Sequence, residues 1–278
     1  MNDKPGILEV IRSYISNQDT FPILNPEAAK IQSEIVKQSP DLEAVKNLVK
    51  TDPTLTSEIL RVANSSYYKG LDQVSTIKEA AMRLGQNELF NIIMRVIHRQ
   101  MFISKNPLIS GYQKLLWDHS VACAVASLWL TRHLKMTDLL PQAYIAGLLH
   151  DIGKLCILSG LEQMMVKEKN APLLTPELVG QIQVFQHQQM GFELLTRWRL
   201  PDQYCRVARD HHIEAFDTTD SLLLVVRLAN NVCNIMEKSA SKEDRVEIMG
   251  SLEADLLSIK DTGLALLEIA LEDAGFFH

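Results

Sequence analysis

The sequence predicts an all-α fold, a bundle of many helices in which an N-terminal helical part precedes a part rich in histidine. Three observations carry this. Apolar residues recur at helical spacing along almost the whole chain, and no run alternates as a half-buried strand does. The 12 glycines and 10 prolines fall mostly where a helix would start or stop. With 46% hydrophobic and 22% charged residues in 278, the chain has enough apolar surface to close a sizeable core.

In order, the opening up to about Val36 reads as one or two helices interrupted by Phe21-Pro22 and Asn25-Pro26. Ser39 is read as an N-cap with Pro40 in the first helical position, and Asp52-Pro53 starts the next helix, which carries ILRVANSSYY. Thr76 and Glu79 have capping-box spacing, and Gly85 supplies the stop. Another apolar helix covers about Asn87 to Ile103. Asn106-Pro107 and Gly111 mark a boundary, so the expected parts are 1–105 and 106–278. Beyond it the pattern predicts helices near 112–134, 138–157, 175–198, 201–212 and 220–237, then one or two amphipathic helices from Gly250 onward. Asn64 and Ser65 read as helix-end chemistry. Tyr67 and Tyr68 read as half-buried packing residues, and Met164-Met165 as core or interface.

The formal net charge of −6 gives no bulk signal for a nucleic-acid partner. Cys123, Cys156, Cys205 and Cys233 contain no CxxC pair, so neither a zinc ribbon nor a disulfide framework is expected, and a reducing cytoplasm suits them. The start lacks the basic-then-apolar pattern of a signal peptide. No stretch of 18 or more consecutive apolar residues occurs, so no membrane span is expected.

The chemistry lies in the histidines. Four segments, WDHS, GLLHDIGKL, FQHQQMG and RDHH, supply His119, His150-Asp151, His187 and His211-His212. Leu115, His119, Cys123, Ala126 and Leu130 share a helical face, as do His187, Gly191, Leu194 and Trp198. His150 and Asp151 follow the wholly apolar AYIAGLL within one helix. Imidazoles and a carboxylate directed inward from several helices are what a metal site in a helical fold requires. One such histidine alone is usually a hydrogen-bonded core residue; six residues in series are different. His98, His133 and His278 fall outside the series and read as ordinary helix or terminal residues.

GLLHDIGKL resembles the central motif of the HD superfamily of metal-dependent phosphohydrolases. That resemblance implies that His119, His150, Asp151, His187, His211 and His212 occupy metal-ligand positions, for one or two divalent ions or, in a relic site, none; histidine-rich ligation with a carboxylate suits iron, manganese, zinc or nickel. It also implies that Asp151 bridges two ions and that Lys154 faces a phosphate. Arg206 and Arg209 are further phosphate candidates, with Arg227 nearby; such arginines are more often paired with acids. The later aspartate of the superfamily is replaced. Asn230 stands in its place, on a face shared with Leu223, Val226 and Cys233, and offers a neutral oxygen as a weak ligand. The GYP segment of the HD-GYP phosphodiesterases is absent, since the chain reads HHIEAFDTTD.

ILRVANSSYYKG, VSTIKEAAMRLGQNEL and GFELLTRWRLPDQYCRVARDHH, in that order, resemble the signatures of the HDOD family over about residues 21–212. The resemblance implies an HD-like helical fold, a role in bacterial signalling and a protein partner. Many HDOD proteins lack the HD ligands; this sequence keeps most of them. Three readings stay open: a regulatory module that binds a protein or small ligand, a phosphohydrolase acting on phosphomonoesters, nucleotides or cyclic nucleotides, and a tightly held metal without turnover.

Overall fold

The computed structural model describes residues 11, 13–14, 21–65, 68, 73–167, 175–238 and 242–277. Among these every regular element is a helix. The helices are α1 (Pro26–Ile35), α2 (Leu42–Lys50), α3 (Pro53–Ala63), α4 (Ile77–Leu84), α5 (Gln86–Arg99), α6 (Pro107–His133), α7 (Leu140–Leu149), α8 (Ile152–Lys167), α9 (Pro176–Arg197), α10 (Asp202–Asp210), α11 (Ser221–Glu237), α12 (Lys242–Met249), α13 (Leu252–Leu256) and α14 (Asp261–Asp273). Tyr67 and His278 lie outside the described residues.

Most helix starts are set by local chemistry. Asn25, Asp52, Asn106, Thr175 and Asp220 each accept a hydrogen bond from a first-turn amide, and all but Asp220 precede a proline. The Thr76–Glu79 capping box forms, and Gly85 ends α4 at φ 76°, a conformation that glycine adopts without strain. At α2 the cap is Asp41, not Ser39. The Asp41 carboxylate takes the amides of Glu43 and Ala44, which leaves Pro40 outside the helix. Gly111 lies inside α6 rather than at a boundary, because Asn106 already caps that helix. Asn64 does more than end α3. Its side-chain amide donates to Val74 O and accepts from Val74 N, both at 2.8 Å, and so ties α3 to the strap before α4.

α6 is the axis of the bundle. It packs against α7, α8, α11 and α14. Its Leu116, Val121, Ala124 and Leu128 join an apolar core that runs from Ile11 to Val226. Its Ala122, Cys123, Ala126 and Leu130 join a second core with α11 and the C-terminal helices. A helix buried on two faces explains why Leu115, placed on the His119 face by spacing, nevertheless lies exposed: it falls before the second core begins. The stretch Thr137–Lys167 is long and apolar enough to cross a membrane by length and composition, but 89% of its apolar 18-residue segment is buried inside the bundle.

His98, read from sequence as an ordinary helix residue, is wholly enclosed. Its Nδ1 donates to Met94 O at 2.8 Å, its Nε2 has no partner, and its ring lies 5.9 Å from Trp198. Burial pushes its pKa from 6.5 down to about 4. A histidine depressed in the folded state contributes stability that is complete above about pH 6.5 and is lost as pH falls toward 4. His98→Phe should therefore remove about 2 kcal/mol of the destabilisation seen between pH 8 and pH 5. Denaturant melts of both proteins at the two pH values measure this, and an unchanged pH difference would refute it.

Candidate metal centre

Two close helix approaches assemble the site, and glycines make both. A Cβ on Gly147 of α7 would stand 2.7 Å from Cys123 O and 2.8 Å from Ala124 Cα of α6. A Cβ on Gly153 of α8 would stand 1.8 Å from His187 O of α9. Between them the helical ladder is interrupted, so His150 and Asp151 sit at the joint of α7 and α8 rather than within one helix. At this joint His150 keeps helical φ −55° and ψ −37°, its Nδ1 donates to the Gly147 carbonyl at 2.8 Å, and Asp151 O accepts an i+3 bond from Lys154 N.

The structure brings the residues read from sequence into one cluster. Asp151, with no exposure, stands at its centre. Its Oδ2 lies 3.6 Å from His119 Nε2 and 3.5 Å from His150 Nε2. Its Oδ1 lies 3.4 Å from His187 Nε2 and 3.3 Å from His211 Nε2. Each carboxylate oxygen thus faces its own pair of imidazole nitrogens. His212 stands at the solvent side of the second pair, its ring 4.2 Å from that of His211 and 5.3 Å from that of His187.

The hydrogen bonds fix the tautomers. His119 Nδ1 meets Glu237 Oε1 at 2.7 Å, His150 Nδ1 meets Gly147 O, and His211 Nδ1 meets Val207 O and Ala208 O at 3.1 and 3.0 Å. Carboxylate and carbonyl oxygens only accept, so each Nδ1 carries the proton. In the neutral ring the inward Nε2 is then a bare lone pair. Burial also pushes the His150 pKa well below its usual value, which keeps that ring neutral. Burial works to raise the Asp151 pKa, but the opposing interactions, led by the Lys154 ammonium, hold the carboxyl well below the usual range. His211 Nε2, bare, accepts from His187 Nε2 at 3.3 Å, while the bare Nε2 atoms of His119 and His150 face Asp151 Oδ2 with no proton to share. His150 Nε2 and Asp151 Oδ1 accordingly have no hydrogen-bond partner although both are buried.

A divalent cation suits this donor set. His119, Cys123 and His150 can bring ligand atoms within 4.8 Å of one another, and so can Asp151, His187, His211 and His212. The Nδ1 anchors are the outer bonds that orient metal-binding histidines. Asn230 lies at the first of these groups. Its Oδ1 is 3.1 Å from His119 Nε2 and accepts from Asn234 at 3.0 Å, while its Nδ2 has no partner. Turning the amide over would bring Nδ2 onto His119 but set it against the Asn234 amide nitrogen.

The remaining candidates divide. Lys154 is paired with Asp151 Oδ2, and its side chain is 23% exposed. Arg206 is engaged by Asp202 and Asp220, and Arg209 by Asp210 with its guanidinium over the Phe192 ring. Arg227 bonds Glu253 and the carbonyls of Asp210 and Ile213. Two residues that sequence reasoning did not assign also touch the cluster. Glu237 orients His119 from 118 positions away, and no spacing rule reaches that far. Cys123 lies one turn beyond His119 on the same face, a signal that was visible but read only as packing.

The HDOD domain model matches residues 21–214. A Treponema pallidum protein of uncharacterised function is 26% identical over 201 residues; the match covers 70% of this chain but only 38% of that protein's length. The crystal structure of an HDOD domain protein of unknown function from Geobacter sulfurreducens superposes with a TM-score of 0.72 at 22% identity, over 96% of this chain and 94% of that one. A Shewanella amazonensis SB2B protein provisionally named a metal-dependent phosphohydrolase superposes at 0.64 with 19% identity, over 94% and 97%. At such identities these structures establish the shared helical fold. With the family pattern covering most of its length, the chain belongs to the HDOD domain family.

Proposed function

We propose that this chain is a regulatory HDOD protein of a bacterial signalling pathway, working in the cytoplasm through a protein partner, whose body holds one or two divalent transition-metal ions around Asp151. The ligands are His119, His150, Asp151, His187, His211 and His212, with Asn230 as a weak neutral donor. One observation carries the metal: inward-facing Nε2 atoms, three of them fixed as lone pairs by their own Nδ1 bonds, surround a buried carboxylate that has an unpartnered oxygen. Two features favour regulation over turnover. The first-group site has an amide where a carboxylate would lower its net positive charge. Lys154, which a phosphate would need, is held by Asp151.

Hydrolysis of a phosphomonoester, nucleotide or cyclic nucleotide is the second reading. It is favoured by the rim, where exposed His212 and partly exposed Lys154 leave an approach to the second imidazole pair. Bound divalent ions would supply an activated nucleophile and charge neutralisation there. Lys154 would then leave Asp151 to bind the phosphate. Arg206 and Arg209 would have to release their acid partners to assist.

The test is elemental analysis of the purified full chain, coupled to a phosphatase and phosphodiesterase screen of the same sample. One to two equivalents of metal without turnover supports the regulatory reading, and metal with turnover supports hydrolysis. No metal after incubation with iron, manganese, zinc or nickel would overturn both.

A further inference from the structure

We propose that Cys123 is a metal ligand, so that the ion nearer Asn230 sits in a nitrogen–sulfur site of His119, His150 and the Cys123 thiolate, completed by Asp151 Oδ2. The inference rests on the metal reading above and names the chemistry of one of its two positions.

The geometry supports it in three ways. Cys123 and His119 are four residues apart on α6, so both side chains project from one face toward the α7–α8 joint. Cys123 Sγ lies 3.4 Å from His119 Nε2. A tetrahedral ion with sulfur at about 2.3 Å and nitrogen at about 2.05 Å separates those two atoms by about 3.5 Å. Opposite them, the buried His150 Nε2 is aimed into the same space with no partner.

Charge gives the reason for a sulfur there. Asp151 is the sole carboxylate pointing into the cluster among the described residues, and it faces both imidazole pairs. Asn230 contributes no charge. A thiolate restores the missing anion from the adjacent turn of helix, and metal binding is what deprotonates a buried thiol. Soft sulfur ligation also sets metal choice: it draws zinc, or iron in a sulfur-tolerant state, and disfavours magnesium and manganese. The second position, with Asp151 Oδ1, His187, His211 and His212, has no sulfur donor and keeps the harder preference. The two positions should therefore differ in metal. Cys233 also contacts Cys123, from α11, and serves as the internal control.

Cobalt titration of the metal-free full chain tests this. Visible ligand-field bands report cobalt held by any ligands, and a near-ultraviolet charge-transfer band reports a sulfur bond. The wild type should show both. Cys123→Ser and Cys123→Ala should keep ligand-field bands from the second position but lose the charge-transfer band, with zinc affinity at the first position at least tenfold weaker. Cys233→Ser should retain the band. Ligand-field bands without charge transfer in the wild type would overturn the sulfur ligand, leave the histidine centre standing, and reduce the 3.4 Å contact to an S–H···N hydrogen bond. A band that survives in both Cys123 variants would also overturn it. Absence of any cobalt spectrum would remove the metal centre itself. A wild type without the charge-transfer band decides against the sulfur ligand even if a variant fails to fold, and a wild type with it is assigned to Cys123 by whichever of the two Cys123 variants folds.

Discussion

Replacing Gly153 by alanine should unfold the centre of the protein more effectively than removing any single ligand. The added Cβ would stand 1.8 Å from His187 O and 2.6 Å from Gly191 N, both backbone atoms of α9. A backbone cannot swing aside as a side-chain tip does, so α8 and α9 must separate by about 1 Å where Gly153 meets His187. Overpacking of this kind costs about 3 kcal/mol or more. The same displacement would carry His187 away from Asp151 Oδ1, so metal content at the second position should fall together with stability. Gly180 is the matched control on α9. Nothing lies within 4 Å of its virtual Cβ, and alanine there should stabilise the helix by about 0.5–1 kcal/mol. Thermal melts of the two variants, read against wild type, should move in opposite directions. Equal melting temperatures for Gly153→Ala and wild type would mean that the close helix approach does not exist.

That glycine also marks the limit of sequence reading. Helix starts were legible where their determinants lie within three residues, as with Thr76 and Glu79 or with Asp52 before Pro53; Asn106-Pro107 was read only as a boundary, and the helix it caps begins earlier than the expected 112. At α2, two candidates lay two residues apart, and the cap went to Asp41, whose carboxylate reaches two amides at once. The histidine series was legible for another reason. Imidazoles and a carboxylate on apolar helical faces stand out from their surroundings, and five of those six residues are buried side by side. What spacing cannot give is the interruption of the helix bonds at His150-Asp151, because AYIAGLLHDIGKL keeps a helical pattern straight through it and the backbone of His150 stays helical. Long-range partners were equally invisible. Glu237, behind His119 and 118 positions away, is a fact of assembly. His98 is the helix residue the sequence suggested, and its full burial follows from α5 burying nearly all of its circumference.

The double variant His150→Ala, Asp151→Ala should lose all bound metal at the first position and the bridge to the second. Its melting temperature should no longer respond to added metal. For wild type, an ion that binds only the folded chain adds about 2.7 kcal/mol at a free concentration one hundred times Kd, and the variant should show none of this increment. The increment is the right quantity, rather than stability itself. In the metal-free protein Asp151 is a buried charge among lone pairs, with Lys154 as its compensation, and Lys154 can return to water once the carboxylate is gone. The metal-free variant can therefore match wild type in stability while having lost the site. Asn230→Asp should act in the opposite sense. It places a carboxylate 3.1 Å from His119 Nε2 and should tighten metal at the first position by about tenfold or more, since an ionic oxygen replaces a neutral one. Without metal the same substitution adds a second buried negative charge beside Asp151, so it should destabilise the metal-free chain. A larger metal-dependent shift on a lower metal-free baseline is the signature of a true ligand position. A change in baseline alone would make Asn230 a hydrogen-bonding residue of α11 and confine the metal to the histidines and Asp151.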